Sequence, residues 1–228
     1  MVEIEKDKPL PKHTRLDYDE CYAKLVLENF FPNKYISLVL SDRPDLRDVK
    51  HNIGIEVTSA IPRQQREALG LACEIPFLSE SEQKRRIEYL QKKGNQYSEF
   101  GMIHPGRSNS WTGSDFPPIE KTFCADFLDA VSKKIEKLNR GNYEVLSQYN
   151  LFVQSELLVE NWMPPKILEW LLSVSVREKA YSVIYLLGLN GLFLFEVENK
   201  AWKKLETGTK LYGLGELARS MVEEDEKE

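Results

Sequence analysis

Two carboxylates separated by a single turn open the chemistry of this chain. In Pro44-Asp45-Leu46-Arg47-Asp48-Val49-Lys50-His51-Asn52-Ile53-Gly54-Ile55-Glu56-Val57-Thr58, one acid starts a short strand and a second lies inside the next. Adjacent strands of a hairpin run about 4.8 Å apart, so such residues can project from the same face. Carboxylates held that close repel each other unless a cation separates them. A hard ion such as Mg2+ suits the arrangement, because it takes few protein carboxylates and completes its shell with water and phosphate oxygens. Glu56 breaks the pattern of its strand, a charge among apolar, β-branched residues where burial without a partner is costly. Each acid also has a plainer reading. Pro-Asp is a common turn dipeptide, and Glu56 could face solvent beside Gly54 and Thr58.

The elements around this pair alternate between helix and strand. A helical pattern runs from Leu16 to Phe31, with Asp17 as N-cap. Strands are expected at Tyr35–Leu40, Leu46–Val49 and Ile53–Thr58, with a turn at Lys50-His51-Asn52. Helical stretches follow at Arg63–Leu71 and Ser79–Lys93, the latter opened by a Ser79/Glu82 capping box. Residues 94–120, rich in Gly, Ser, Pro and aromatics, read as a long loop. An amphipathic helix covers Thr122–Leu138, a strand Leu151–Val153, a helix Pro164–Val176 and a hairpin Tyr181–Leu187/Leu192–Val197. Residues 1–15 read as a flexible arm, 16–222 as a single domain and 223–228 as an acidic tail. The expected class is α/β, a mixed central sheet flanked by helices.

That order and those motifs resemble the PD-(D/E)XK nuclease superfamily, the restriction-endonuclease-like fold. There Pro-Asp opens one strand and Glu-x-Lys lies on the next. The resemblance spans most of residues 16–155, with Pro44-Asp45 and Glu56-Val57-Thr58 as its specific part. It implies a Mg2+- or Mn2+-dependent phosphodiester hydrolase acting on nucleic acid, DNA ahead of RNA. Asp45, Glu56 and the backbone carbonyl of Val57 would be metal ligands. Glu20, which borders the apolar face of the first helix, would be the acid that family members often add from that element. Thr58 departs from the pattern, standing where the family has its charge-stabilising lysine. On the Thr122–Leu138 helix the apolar stripe is Cys124, Phe127, Leu128, Val131, Ile135 and Leu138. Lys134 is about 60° from its centre, Lys137 about 120° and Lys133 nearly opposite. Lys134 is therefore the expected replacement. The alternative is a catalytically silent nuclease fold serving as a binding or interaction module.

Composition narrows the classes further. The chain has 228 residues, 42% hydrophobic and 29% charged, enough to bury a core. No apolar run reaches the roughly 20 residues of a membrane span, and the charged start lacks a signal-peptide core. Cys21, Cys73 and Cys124 form no C-x-x-C pair, which fits a reducing cytoplasm. The net charge of −5 argues against a surface that grips nucleic acid all round, and leaves room for a local basic groove, a homodimer or a protein partner. His13, His51 and His104 lack metal-ligand spacing, and no G-x-S-x-G elbow is present. Lys84-Arg85-Arg86, continued by Lys92-Lys93, is a basic helical face with a possible phosphate role.

Overall fold

The computed structural model describes residues 14–61, 78–92, 119–141, 143–155, 158–175, 179–211 and 213–225. These fall into two compact units, one holding residues up to Ala60 and from Ala125 onward, the other holding Ile61 to Cys124. The expected Arg63–Leu71 helix, and almost all of the 1–15 arm and the 94–120 loop, lie outside the described residues. In the second unit a helix, α2 (Glu80–Lys92), starts where Glu82 accepts the Ser79 amide at 3.2 Å and its hydroxyl, the side-chain half of the expected capping box.

In the first unit α1 (Tyr18–Phe30) begins at Asp17, whose carboxylate accepts the amides of Asp19 and Glu20 at 2.8 and 3.3 Å. Strand β1 is only Val39–Leu40, shorter than the expected Tyr35–Leu40. The cause lies in the amides. Those of Lys34 and Tyr35 bond the Phe31 carbonyl, and that of Leu38 goes to the Glu28 carboxylate, so the backbone is spent on the end of α1.

Six further strands follow: β2 (Leu46–Asp48), β3 (Ile53–Ser59), β4 (Gln148–Gln154), β5 (Val183–Gly188), β6 (Gly191–Glu196) and β7 (Ala201–Leu205). They form one seven-stranded sheet in sequential order, with β3, β4 and β5 parallel and every other pair antiparallel. Two long helices, α3 (Ile119–Arg140) and α4 (Met163–Val174), interrupt the parallel strands, as crossovers between such strands require. A short 3-10 turn, Gly208–Leu211, leads to α5 (Leu214–Asp225).

Helices lie on both sides of the sheet. On one face Ile53, Ile55, Val57, Phe152, Tyr185 and Leu194 pack with Ala23, Val26, Leu27 and Phe30 of α1. On the other α3 buries Phe127, Val131, Ile135 and Leu138, the stripe expected from its periodicity, although Leu128 is only half-buried. Strand β3 is thus buried on both faces, and Glu56, 1% exposed, does not face solvent. The acidic tail begins later than its composition suggests. α5 packs on α1, and Asp225 accepts hydrogen bonds from the Arg15 side chain and the Leu16 amide. Among the described residues no helix is long and apolar enough to cross a membrane.

Candidate active site

Three local devices hold Asp45 beside β3. Its carbonyl accepts the Ser41 amide at 3.0 Å, and the Ser41 hydroxyl donates to the Pro44 carbonyl at 2.5 Å, closing the loop before β2. Gly54 sits directly under Pro44. A Cβ there would come within 2.6 Å of the proline ring and 2.5 Å of Leu146, so only glycine lets the loop settle onto the strand. The third device comes from register. The last β2–β3 pair is Leu46–Ile55, so β3 runs on past the end of β2. The freed amide of Val57 donates to Asp45 Oδ2 at 2.7 Å. In an extended strand the N–H and C=O of one residue leave from the same edge, so the Val57 carbonyl also faces the Asp45 side.

Lys134 closes the group from α3. Its ammonium donates to Glu56 Oε2 at 2.6 Å and to Asp45 Oδ2 at 3.3 Å. The two acids thus share one cation, and it belongs to the protein. All three side chains are largely withdrawn from water, at 16%, 1% and 15% exposure for Asp45, Glu56 and Lys134. The Tyr181 hydroxyl donates to the Lys134 carbonyl at 3.2 Å, tying that turn of α3 to the chain entering β5. Lys133 points away and pairs with Asp129 at 2.5 Å on the exposed side of the helix. Lys137, one turn beyond Lys134 and half-exposed, approaches Glu56 Oε2 to 3.5 Å.

The electrostatics mark the same group. Burial pushes the Asp45 carboxyl up. Lys134 and the Val57 amide draw it back, and the Glu56 charge adds to the rise. Glu20, on α1, is pushed up to about 7, first by burial and then by Asp45 and Asp17, with Glu56 contributing and Lys134 opposing. It is therefore within electrostatic reach of the cluster. Glu28, by contrast, is engaged by Lys24 at 2.7 Å and by the Leu38 amide. Burial and the Glu56 charge push up the hydroxyls of Tyr143 and Tyr181 as well. Thr58 lies two residues beyond Glu56 and so on the same face of β3, half-buried.

Lys134 leaves one oxygen of each acid aside. Glu56 Oε1 is buried with no hydrogen bond of good geometry, although the Tyr143 hydroxyl lies close enough to Glu56 to interact with it, and both bonds to Asp45 use Oδ2. With the Val57 carbonyl these are the oxygens that could hold a hard divalent ion. No group of three His, Cys, Asp or Glu side chains among the described residues forms a ready cage. Mg2+ does not need one, since it is held by one or two carboxylates and keeps several waters.

The residue types and the helical wheel bring out Asp45, Glu56, Lys134 and Glu20 from sequence. Lys137 is missed because the wheel ranks backbone direction and ignores the reach of a four-carbon side chain. Tyr143 and Tyr181 carry no local signal, lying in segments whose placement depends on the sheet. Compared with protein-family models, curated proteins and solved structures, the chain matches none.

Proposed function

We propose that the chain is a metal-dependent phosphodiester hydrolase acting on nucleic acid, with Mg2+ or Mn2+ held by Asp45, Glu56 and the Val57 carbonyl. The observation that carries this reading is the convergence of two acids from consecutive strands and one lysine on a single buried point. The order of elements, α1 and three antiparallel strands followed by α3 and β4, supports the resemblance to PD-(D/E)XK nucleases. A divalent ion held there would supply Lewis acidity and an ionised water at neutral pH.

The chain's own groups then have distinct tasks. Asp45 and Glu56 would hold the ion through their carboxylates, and Glu20, within electrostatic reach, would be a further oxygen donor. Lys134 takes the task of the motif lysine. A buried ammonium aimed where charge gathers on a phosphoryl oxygen stabilises the transition state without reorganising at the moment of reaction. Thr58, on the same face, offers a neutral hydrogen-bond donor in place of that charge.

A second reading keeps the geometry without the cleavage. It rests on Lys134 too, because its ammonium already neutralises the acid pair and makes the cluster self-sufficient as a structural ion network. Incubation with single- and double-stranded DNA and RNA in Mg2+ or Mn2+ separates the two. Cleavage by the wild type, reduced about a hundredfold or more by Lys134→Ala and unchanged by Lys133→Ala, supports the hydrolase. No cleavage of any substrate, and none gained by Thr58→Lys, favours the binding module.

A further inference from the structure

Tyr143 follows α3 and precedes β4, and its neighbours determine where its ring lies. A Cβ on Gly141 would come within 2.8 Å of that ring, so the ring rests against the end of the helix. It also meets the Tyr149 ring edge to face, with centroids 6.3 Å apart and planes at 86°. Tyr149 is itself anchored, its hydroxyl donating to the Glu144 carbonyl and accepting the Leu146 amide at 3.2 Å. On β4 it is the partner of Gly54, which lies two residues before Glu56 and hence on the same face of β3. Packing against Tyr149 therefore brings Tyr143 to the face from which Glu56 projects. Its hydroxyl lies close enough to Glu56 to interact with it.

The two groups complement each other. Tyr143 is 6% exposed, and its hydroxyl, like Glu56 Oε1, is buried with no hydrogen bond of good geometry. Buried polar atoms in folded proteins are nearly always paired. Here one is a donor and the other an acceptor, since a tyrosine hydroxyl carries a hydrogen and an ionised carboxylate only accepts. Tyr181, whose hydroxyl also feels the Glu56 charge, is committed to the Lys134 carbonyl at 3.2 Å. Tyr143 is thus the neutral donor at hand for Oε1 among the described residues.

Glu56 needs a second hold. Lys134 meets Oε2 at 2.6 Å, and Lys137 approaches that same oxygen at 3.5 Å. The terminal torsion of a glutamate is broad, so a carboxylate gripped by one oxygen can still swing the other. A donor on each oxygen sets its plane. Each oxygen accepts in two directions, so a bond from Tyr143 leaves Oε1 room for an ion. Carboxylates that ligate metals are themselves hydrogen-bonded, and losing such a partner costs roughly 10–100-fold in metal affinity.

We propose that Tyr143 is a positioning residue for Glu56, its hydroxyl donating to Oε1 while Lys134 holds Oε2, so that the carboxylate is aimed before an ion arrives. The proposal rests on the reading of Glu56 as a ligand of a divalent ion. It is tested by Mn2+ affinity, measured on the full chain from the electron paramagnetic resonance signal of free Mn2+. Tyr143→Phe keeps the ring and its packing, so the circular dichroism spectrum of the metal-free protein should match that of the wild type. Its Mn2+ affinity should nevertheless fall about tenfold or more. Incorporating 3-fluorotyrosine at Tyr143, which keeps the hydroxyl, should retain most of the wild-type affinity.

Equal Mn2+ affinity in the wild type and Tyr143→Phe overturns the proposal and leaves the hydrolase reading standing. No binding by the wild type overturns that reading, and the proposal with it. Should Tyr143→Phe fail to fold, the fluorine NMR signal of the 3-fluorotyrosine protein decides. A saturable shift on adding Mg2+ supports the proposal, and a signal unmoved at saturating Mg2+ overturns it.

Discussion

Lys134 and Glu56 are unequal partners, and the inequality is measurable. Lys134→Ala leaves Asp45 and Glu56 as two buried carboxylates, with half-exposed Lys137 at 3.5 Å from Glu56 and the Val57 amide on Asp45 as the relief among the described residues. Breaking a buried pair from one side costs about 3–5 kcal/mol, and the outward reach of Lys137 places the expected loss near the lower figure. Glu56→Gln leaves the Lys134–Asp45 pair, at 3.3 Å, in place and should cost distinctly less. Combining the two changes should recover part of the Lys134→Ala loss, a positive coupling read from denaturant midpoints. Additive effects would mean that the two side chains do not feel each other. Glu20 offers a separate check through pH. Its folded value near 7 stands above the ordinary 4.5, so its proton favours the folded state. The stabilisation is full below about 4.5 and is lost as the pH rises through about 7. Glu20→Gln, which mimics the protonated form, should flatten that decline in melting temperature. Part of the slope should persist, because Asp45 is shifted in the same direction. An unchanged slope would separate Glu20 from the cluster. At this scale much was legible in the sequence, since an acid within an apolar strand and a lysine beside an apolar stripe both signal a buried partner.

Strand and loop set the position of Asp45, and Gly54 is where that can be tested. Gly54→Ala forces a methyl group against the Pro44 ring and Leu146, with both contacts below 3 Å. Overpacking of this kind costs about 1–3 kcal/mol, and here the easiest relief is to move the loop that carries Asp45. Stability should fall by that amount, and Mn2+-dependent stabilisation should weaken along with it. Loss of stability with metal response intact would show that Asp45 does not depend on the strand below it. Element boundaries were less legible than the residues. β2, β3 and α1 have clear periodicity and caps. β7 has none, because an edge strand reading Ala-Trp-Lys-Lys-Leu with four exposed residues shows no apolar alternation. The expected six-residue strand at Tyr35 shrinks because Tyr35 is drawn into the core, where its hydroxyl meets those of Tyr185 and the Asn150 amide at 2.8 and 3.1 Å. Those partners lie more than a hundred residues away in sequence, beyond any local pattern.

At the scale of the molecule, the α/β class and the mixed sheet follow from helix–strand alternation, but the closing helix does not follow from composition. The residues from Glu223 read as an acidic tail and no element is expected between the hairpin and them, yet α5 runs from Leu214 to Asp225. Leu214, Ala218 and Val222 recur every four residues and are buried, the last two beside Cys21 of α1. Removing residues 214–228 should strip cover from α1, which carries Glu20. Burial of each large aliphatic side chain contributes about 1.5–3 kcal/mol, against a typical total of about 5–15 kcal/mol. The truncated chain should therefore lose most of its cooperative melting transition by circular dichroism. A sharp transition at the wild-type temperature would make α5 an accessory. The placement of a cation between the two strand acids is tested most directly by crystals of the wild type soaked in Mn2+ and measured at a wavelength where manganese scatters anomalously. An anomalous peak between Asp45 Oδ1 and Glu56 Oε1, in reach of the Val57 carbonyl and absent from Glu56→Gln crystals, is the expected result. Lys134 still bridging the two carboxylates with no peak at saturating Mn2+ would contradict the metal-dependent hydrolase.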